Sequence, residues 1–245
     1  MKPMLALFLG LVLSAPVSAA EQKPVLVVLT SHTQMGDTGK PTGFFLGELT
    51  HPLEVFEKAG VPVELASIRG GEPPVDGLDL QDEINARYWN DPAFRAKLSA
   101  TKKLSDLDPG DYSAVFFSGG HGTMWDFPDD AAVQKFARDI YEADSPVGAV
   151  CHGPAALVNV RLPDGSYLVA GKEVSAFTNS EEEKVGLTKV VPFLLATQLE
   201  ERGAKHLAAP DFEKKVVVAG KLVTGQNPAS AAGVAEKMVE LLKSP

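Results

Sequence analysis

Four short apolar runs, all but one unbroken, separated by helix-patterned stretches restrict this chain more than any other feature of its sequence. The runs are Pro24 to Leu29, Pro62 to Ile68, Ala114 to Phe117 and Pro146 to Cys151. A strand that buries one face alternates apolar and polar residues, whereas continuous Val, Leu and Phe runs bury both faces, as in a parallel sheet covered by helices. Apolar residues recur near helical spacing at Gly43 to Ala59, Asp91 to Leu98 and Asp129 to Ala143. Strand, helix and strand in that order give right-handed βαβ units. The pattern continues with a strand at Glu173 to Phe177, a helical stretch around Val190 to Arg202, a hairpin at Lys215 to Val223 and a closing helix from Pro228 to Leu242. The expected fold is an α/β sandwich around a mostly parallel sheet.

Residues 1–20 read as a separate unit. Lys2 supplies a positive end, Leu5 to Leu13 an apolar stretch, and Val17-Ser18-Ala19-Ala20 a small-residue cleavage site, the arrangement of a secretory signal peptide. The apolar run falls short of the roughly 20 residues that span hydrocarbon. The mature chain is therefore expected in the periplasm or outside the cell, with no membrane span after cleavage. Residues 21–245 are read as one domain, because single domains commonly reach about 250 residues. Arg69 to Tyr112 is rich in Gly, Pro and Asp, and so long a connection between strands is uncommon unless it covers a site. A formal net charge of -9 argues against a nucleic-acid partner, which needs clustered Lys and Arg.

Ligands of doubly wound sheets bind beyond the carboxyl ends of the strands, so the residues just after each apolar run carry the functional reading. Cys151, the single cysteine of the chain, ends one run in Gly148-Ala149-Val150-Cys151-His152-Gly153-Pro154. Lone cysteines are often small buried hydrophobes. Here small neighbours permit a strained strand-to-helix elbow, Pro154 suits a first helical turn, and a helix N-terminus favours thiolate, so Cys151 reads as a nucleophile of lowered pKa. His152 comes next as its base or imidazolium partner. After another run, Ser118-Gly119-Gly120-His121-Gly122 offers backbone N–H groups to developing negative charge. This loop lacks the Lys-Ser/Thr ending of a P-loop and the spacing of a dinucleotide fingerprint. Glu48, among Phe44, Phe45 and Leu49, reads as a partly buried carboxyl of raised pKa that can pass a proton. His32, His51, His121 and His206 show no paired ligand spacing, so no metal is expected, although folding could gather two near Glu48.

Taken together, these stretches resemble the PfpI superfamily, itself similar to class I glutamine amidotransferase domains, and within it the branch of heat-shock chaperones and glyoxalase III enzymes. The matching text is Gly43 to Gly60 with Glu48 and His51-Pro52, Pro73 to Asp76, Thr101 to Asp106, Phe116 to Pro128, Ala149 to Val160, Phe177 to Glu183 and Thr224 to Ser230. The resemblance implies a flavodoxin-like three-layer sandwich with Cys151 on a nucleophile elbow. It implies a triad completed by an acid in the run Glu181-Glu182-Glu183, most simply Glu182. It further implies an oxyanion hole from Gly120, His121 and His152, a pocket that includes Phe44 and Trp125, and a homodimer. The implied reaction is a cofactor-free glyoxalase III conversion of the D-lactate dehydratase type, from methylglyoxal and water to lactate through a Cys151 hemithioacetal. An amidohydrolase, peptidase or deglycase is the alternative chemistry, and a holdase chaperone or redox-responsive protein the non-enzymatic one.

Overall fold

A computed structural model describes residues 22–244; the leader read at 1–20 lies outside them. In chain order the elements are β1 (Val25–Leu29), β2 (Phe44–Phe45), α1 (Gly47–Lys58), β3 (Val63–Ser67), β4 (Val75–Asp76), α2 (Glu83–Trp89), α3 (Pro92–Ser99), β5 (Lys102–Lys103), β6 (Ala114–Phe117), α4 (Thr123–Asp126), α5 (Ala131–Glu142) and β7 (Val147–Val150). They continue with β8 (Glu173–Val174), α6 (Asn179–Lys184), α7 (Leu195–Glu201), β9 (Lys205–His206), β10 (Val216–Ala219), β11 (Leu222–Gly225) and α8 (Ala231–Lys243). Seven strands make one sheet in the order β10-β11-β7-β6-β1-β3-β5. All neighbours are parallel except the β10–β11 hairpin.

The unbroken apolar runs are explained by the two cores they feed. Val25, Val27 and Leu29 of β1 enter one core with Leu49 and Phe56 of α1 and Val234 and Met238 of α8. Leu26 and Val28 enter the other, with Val133, Phe136 and Ile140 of α5. β6 divides in the same way, Ala114 and Phe116 on one side and Val115 and Phe117 on the other. Gly148 in β7 lets α8 press onto the sheet, since a Cβ there would lie 2.2 Å from the sulfur of Met238. Among the described residues no helix is long and apolar enough to cross a membrane.

Two segments depart from their sequence pattern. Glu173 to Phe177 has strand composition, but only Glu173–Val174 pairs, with β9, outside the main sheet. Its remaining N–H groups turn to other partners: Ser175 donates to Thr224 Oγ1 at 2.8 Å, Ala176 to His206 Nε2 at 3.2 Å and Phe177 to the Cys151 carbonyl at 2.9 Å. The helix expected from Val190 begins only at Leu195, because Pro192 lacks an N–H and drives Val191 away from helical backbone. The insertion after β3 holds α2 as well as α3, capped by the carboxylates of Asp82 and Asp91. It delivers β4 beside β2, with Phe44 opposite Val75 and Phe45 opposite Asp76.

Phe116 is fully buried in the central strand and meets Phe56 edge-on, with ring centroids 6.4 Å apart. Phe116→Ala is expected to lower unfolding stability by about 3–5 kcal/mol. In urea titration this appears as a lower midpoint with an unchanged slope.

Candidate active site

β6 and β7 are paired in parallel and end side by side, which brings Ser118-Gly119-Gly120 next to Cys151. Cys151 has φ +59°, a left-handed conformation that a residue with a Cβ adopts only when held there. Its N–H donates to the Gly225 carbonyl and its carbonyl accepts from Phe177 N–H, both at 2.9 Å. These two bonds lock the elbow. Neighbouring backbone must come very close: a Cβ at Gly119 would sit 2.3 Å from Glu48 Oε2 and 2.4 Å from the Val150 carbonyl.

Cys151 Sγ lies 3.3 Å from His152 Nδ1, and His152 Nε2 lies 2.9 Å from Glu182 Oε2. Glu182 sits in the first turn of α6 and is therefore the member of the acidic run that reaches the imidazole. Glu181 instead closes the Thr178 capping box and accepts from Asn227 Nδ2 at 2.8 Å, while Glu183 is exposed. The other oxygen of Glu182 is 3.0 Å from His121 Nε2. Burial opposes ionisation of Glu182, but the hydrogen bonds and charges of the two histidines prevail and bring its pKa down to about 2. An ionised carboxylate only accepts, so His152 presents Nε2–H to it and turns the Nδ1 lone pair toward the sulfur. The ring is fully buried between His121, at 4.0 Å between centroids, and Phe177, at 4.4 Å. Burial, followed by the charge of His121, lowers its pKa to about 4, so at neutral pH it is an uncharged acceptor.

Glu48 is fully buried, and neither of its carboxyl oxygens has a hydrogen-bond partner among the described residues. The Cys151 thiol and Gly119 N–H favour its charge without reaching hydrogen-bond geometry. Desolvation outweighs them and raises its pKa from 4.5 to about 8, with the Asp76 charge adding to the rise. The same burial, and the Glu48 charge whenever that group ionises, push the Cys151 thiol up, against the His152 N–H. The lowered thiol pKa expected from a helix N-terminus is corrected by this arrangement. After the elbow the chain forms a five-residue 3-10 segment, Gly153–Leu157, and burial beside a carboxyl outweighs its effect. The two acids are coupled, and a protonated Glu48 withdraws the charge that opposes thiolate.

A cavity of about 420 Å³ opens above the sulfur. Glu48, Gly120, His121, Cys151 and His152 line it, with Asp76 and a set of apolar side chains. Gly120 and His121 present backbone N–H groups that find no protein acceptor among the described residues. The pocket assignments of Phe44 and Trp125 are corrected. Phe44 points into the core, and alternation along β2 turns Phe45 to the cavity instead. Trp125 is stacked on His32 at 5.1 Å, away from the cavity lining. Larger clefts, of about 680 and 770 Å³, contain Lys221 near the opposite end of the strands, and neither cysteine nor histidine lines them.

Residues that sequence reasoning missed include Phe177, Asp76 and the imidazole of His121, all inside the family-like motifs. Folding also gathers ligand types that linear spacing kept apart. His121, His152 and Glu182 offer atoms within 4.8 Å of one another and could hold a metal ion, while their mutual hydrogen bonds account for the arrangement as it stands. His51 is engaged with Asp82, and His206 with the backbone of Ala176.

A sequence-family model described as the DJ-1/PfpI family matches residues 42–241. Glyoxalase 3 of Candida albicans is 37% identical over 88% of this chain and 96% of its own length. Glutathione-independent glyoxalase HSP31 of Saccharomyces cerevisiae is 33% identical over 91% and 99%. Among solved structures, glyoxalase III from Candida albicans superposes with a TM-score of 0.83 at 35% identity, covering 89% of this chain and 96% of that one. The Francisella tularensis Rapid Encystment Protein 24 KDa reaches 0.88 at 40% identity, covering 91% and 100%.

Glu48 links the site to stability. Its folded pKa of about 8 lies above the ordinary 4.5, so between those values the unfolded chain releases a proton that the folded chain keeps. The resulting penalty is absent below pH 4.5, grows with pH and levels off above about 8. Glu48→Gln is expected to be more stable than the parent above pH 8 by on the order of a few kcal/mol and so to unfold at higher temperature, the advantage fading toward pH 4.5. Thermal unfolding across that range reads the difference.

Proposed function

Because the chain belongs to the DJ-1/PfpI family, we propose that it is a glutathione-independent glyoxalase that converts methylglyoxal and water to lactate. One observation carries this reading: a nucleophilic sulfur 3.3 Å from an imidazole lone pair is overhung by a buried carboxyl whose pKa of about 8 lies near working pH.

Cys151 Sγ adds to the aldehyde carbon C1, and the thiol proton passes to His152 Nδ1 and on to the new alkoxide, giving a neutral hemithioacetal. The Gly120 and His121 N–H groups meet the oxygen while it carries charge. Glu48 in its ionised form removes the hydrogen of C1 as a proton; the C1–H electron pair forms the C1=C2 bond and the C2 carbonyl pair moves onto its oxygen, giving an enediolate. The carboxyl then returns the proton to C2 while the proton of the C1 hydroxyl passes to the C2 oxygen and C1=O forms, leaving a thioester of lactate. A group with a pKa near the operating pH serves well in both directions, as base when ionised and as acid when protonated. Water attacks the thioester with His152 as base, oriented by Glu182, and the C1–S bond breaks to release lactate and restore the thiol. Methylglyoxal plus water equals lactate and a proton, and no electrons are gained or lost overall.

Amide or peptide cleavage would use Cys151, His152 and the oxyanion hole, but it gives no task to a buried carboxyl poised between two protonation states. Moving a proton between adjacent carbons does. Export, inferred from the leader at residues 1–20, belongs to the same proposal and places the reaction in the periplasm or beyond.

Purified protein incubated with methylglyoxal is expected to form lactate, followed directly by proton NMR. Cys151→Ala should form none. Glu182→Gln, which no longer enforces the reactive His152 tautomer, should lower kcat by about 10²–10⁴-fold. Lactate formation by Cys151→Ala at the parent's rate would refute the proposal.

A further inference from the structure

We propose that the site is built for 2-oxoaldehydes whose substituent is larger than a methyl group, uncharged and apolar; this rests on the glyoxalase reading and names its substrate class. Methylglyoxal has five heavy atoms, each no larger than a water at about 30 Å³, and fills less than half of a cavity of about 420 Å³. The space left over is apolar. Met35, Phe45, Phe177, Val185, Leu187 and Phe212 form its walls, and neither lysine nor arginine lines it. The ionisable groups that face it besides the reacting pair are the histidines and Asp76, whose carboxylate already accepts from Thr42 Oγ1 and the Gly77 N–H. An anionic tail would meet carboxylates without a fixed cation. A hydrocarbon or aryl substituent would meet a run of rings from His152 through Phe177 to Phe212, with centroid spacings of 4.4 and 6.4 Å.

One wall is held in place at a conformational cost. Phe212 has φ +64°, which its Cβ disfavours. Its N–H donates to Glu181 Oε1 at 2.7 Å. Glu181 is fully buried, has no task in the reaction, and is itself fixed by Thr178, Gln226 and Asn227. This network keeps a strained residue where its ring lines the cavity, while 48% of Phe212 and 43% of Val185 remain exposed. A larger substituent covers that apolar surface. Strained backbone maintained by surrounding structure in this way marks a ligand-facing position.

The test is the specificity constant across 2-oxoaldehydes bearing methyl, n-propyl and isobutyl groups, with a carboxyethyl compound as the charged member, each followed by its 2-hydroxy acid product. We expect kcat/KM to rise by roughly fourfold per added methylene until the cavity is filled, mainly through KM, and the carboxyethyl compound to fall below n-propyl by at least about tenfold. Val185→Lys places a cation at the rim, and the ratio of carboxyethyl to n-propyl should rise by roughly fivefold or more. Because that ratio is taken on one preparation, partial loss of folded protein cancels. Methylglyoxal turnover with a flat or falling series, or a carboxyethyl compound used as well as n-propyl, would overturn the assignment and leave the glyoxalase reading standing. No product from any member overturns both.

Discussion

A carboxyl group sealed against a sulfur without a hydrogen-bond partner is the constraint around which this molecule is organised. Glu48 has nowhere to place a charge: it is fully buried, Asp76 lies close enough to raise its pKa further, and both oxygens are unpartnered among the described residues. It therefore keeps its proton to about pH 8. That retained proton removes a negative charge from beside the sulfur, so one of the two effects that hold the thiol protonated is withdrawn, while the burial they share still raises its pKa. On the far side of the sulfur the opposite arrangement holds. Glu182 is kept ionised by two histidines and fixes the tautomer of one of them. Two glutamates, one poised between its neutral and ionised forms and one held charged, thus bracket a single thiol.

The fold supplies the rigidity this needs. Parallel strands end in register, so residues after β6 and β7 meet without long loops. The elbow at Cys151 costs about 1–2 kcal/mol of backbone strain, offset by hydrogen bonds to Gly225 and Phe177 from two different segments. Helix α1, which carries Glu48, packs in the same core as α8 and the odd-numbered residues of β1. The insertion contributes through Asn85, whose side chain hydrogen-bonds Thr50 on α1 and the Asp79 carbonyl. Positioning of the site is thereby tied to the sheet and to the helices that pack on one of its faces.

Much of this was legible in the amino-acid sequence because it obeys local rules. Runs such as Val25-Leu26-Val27-Val28-Leu29 have no polar face, so a doubly covered strand was the reading they allowed, and Cys151 between Gly148 and Pro154 marked the elbow. The corrections arise where tertiary context overrides local pattern. Phe44 and Phe45 are indistinguishable until the parity of β2 is known. Glu173 to Phe177 has strand composition but gives its later hydrogen bonds to side chains and the elbow. The thiol pKa departs from its sequence expectation because a helix N-terminus is visible in sequence, whereas burial beside a carboxyl a hundred residues away is not. His121 is similar: the Gly-rich loop pointed to its N–H, and only the fold shows its imidazole sharing Glu182 with His152.

The protonation state of Glu48 is the point on which the mechanism turns, and infrared difference spectroscopy of the parent against Glu48→Gln measures it directly. A protonated carboxyl stretch is predicted in the parent at pH 6, missing from the variant and fading with a midpoint near pH 8. A band already lost by pH 6, with a midpoint near the ordinary 4.5, would show a carboxyl that burial does not perturb and contradict the poised acid and base on which proton transfer between C1 and C2 rests.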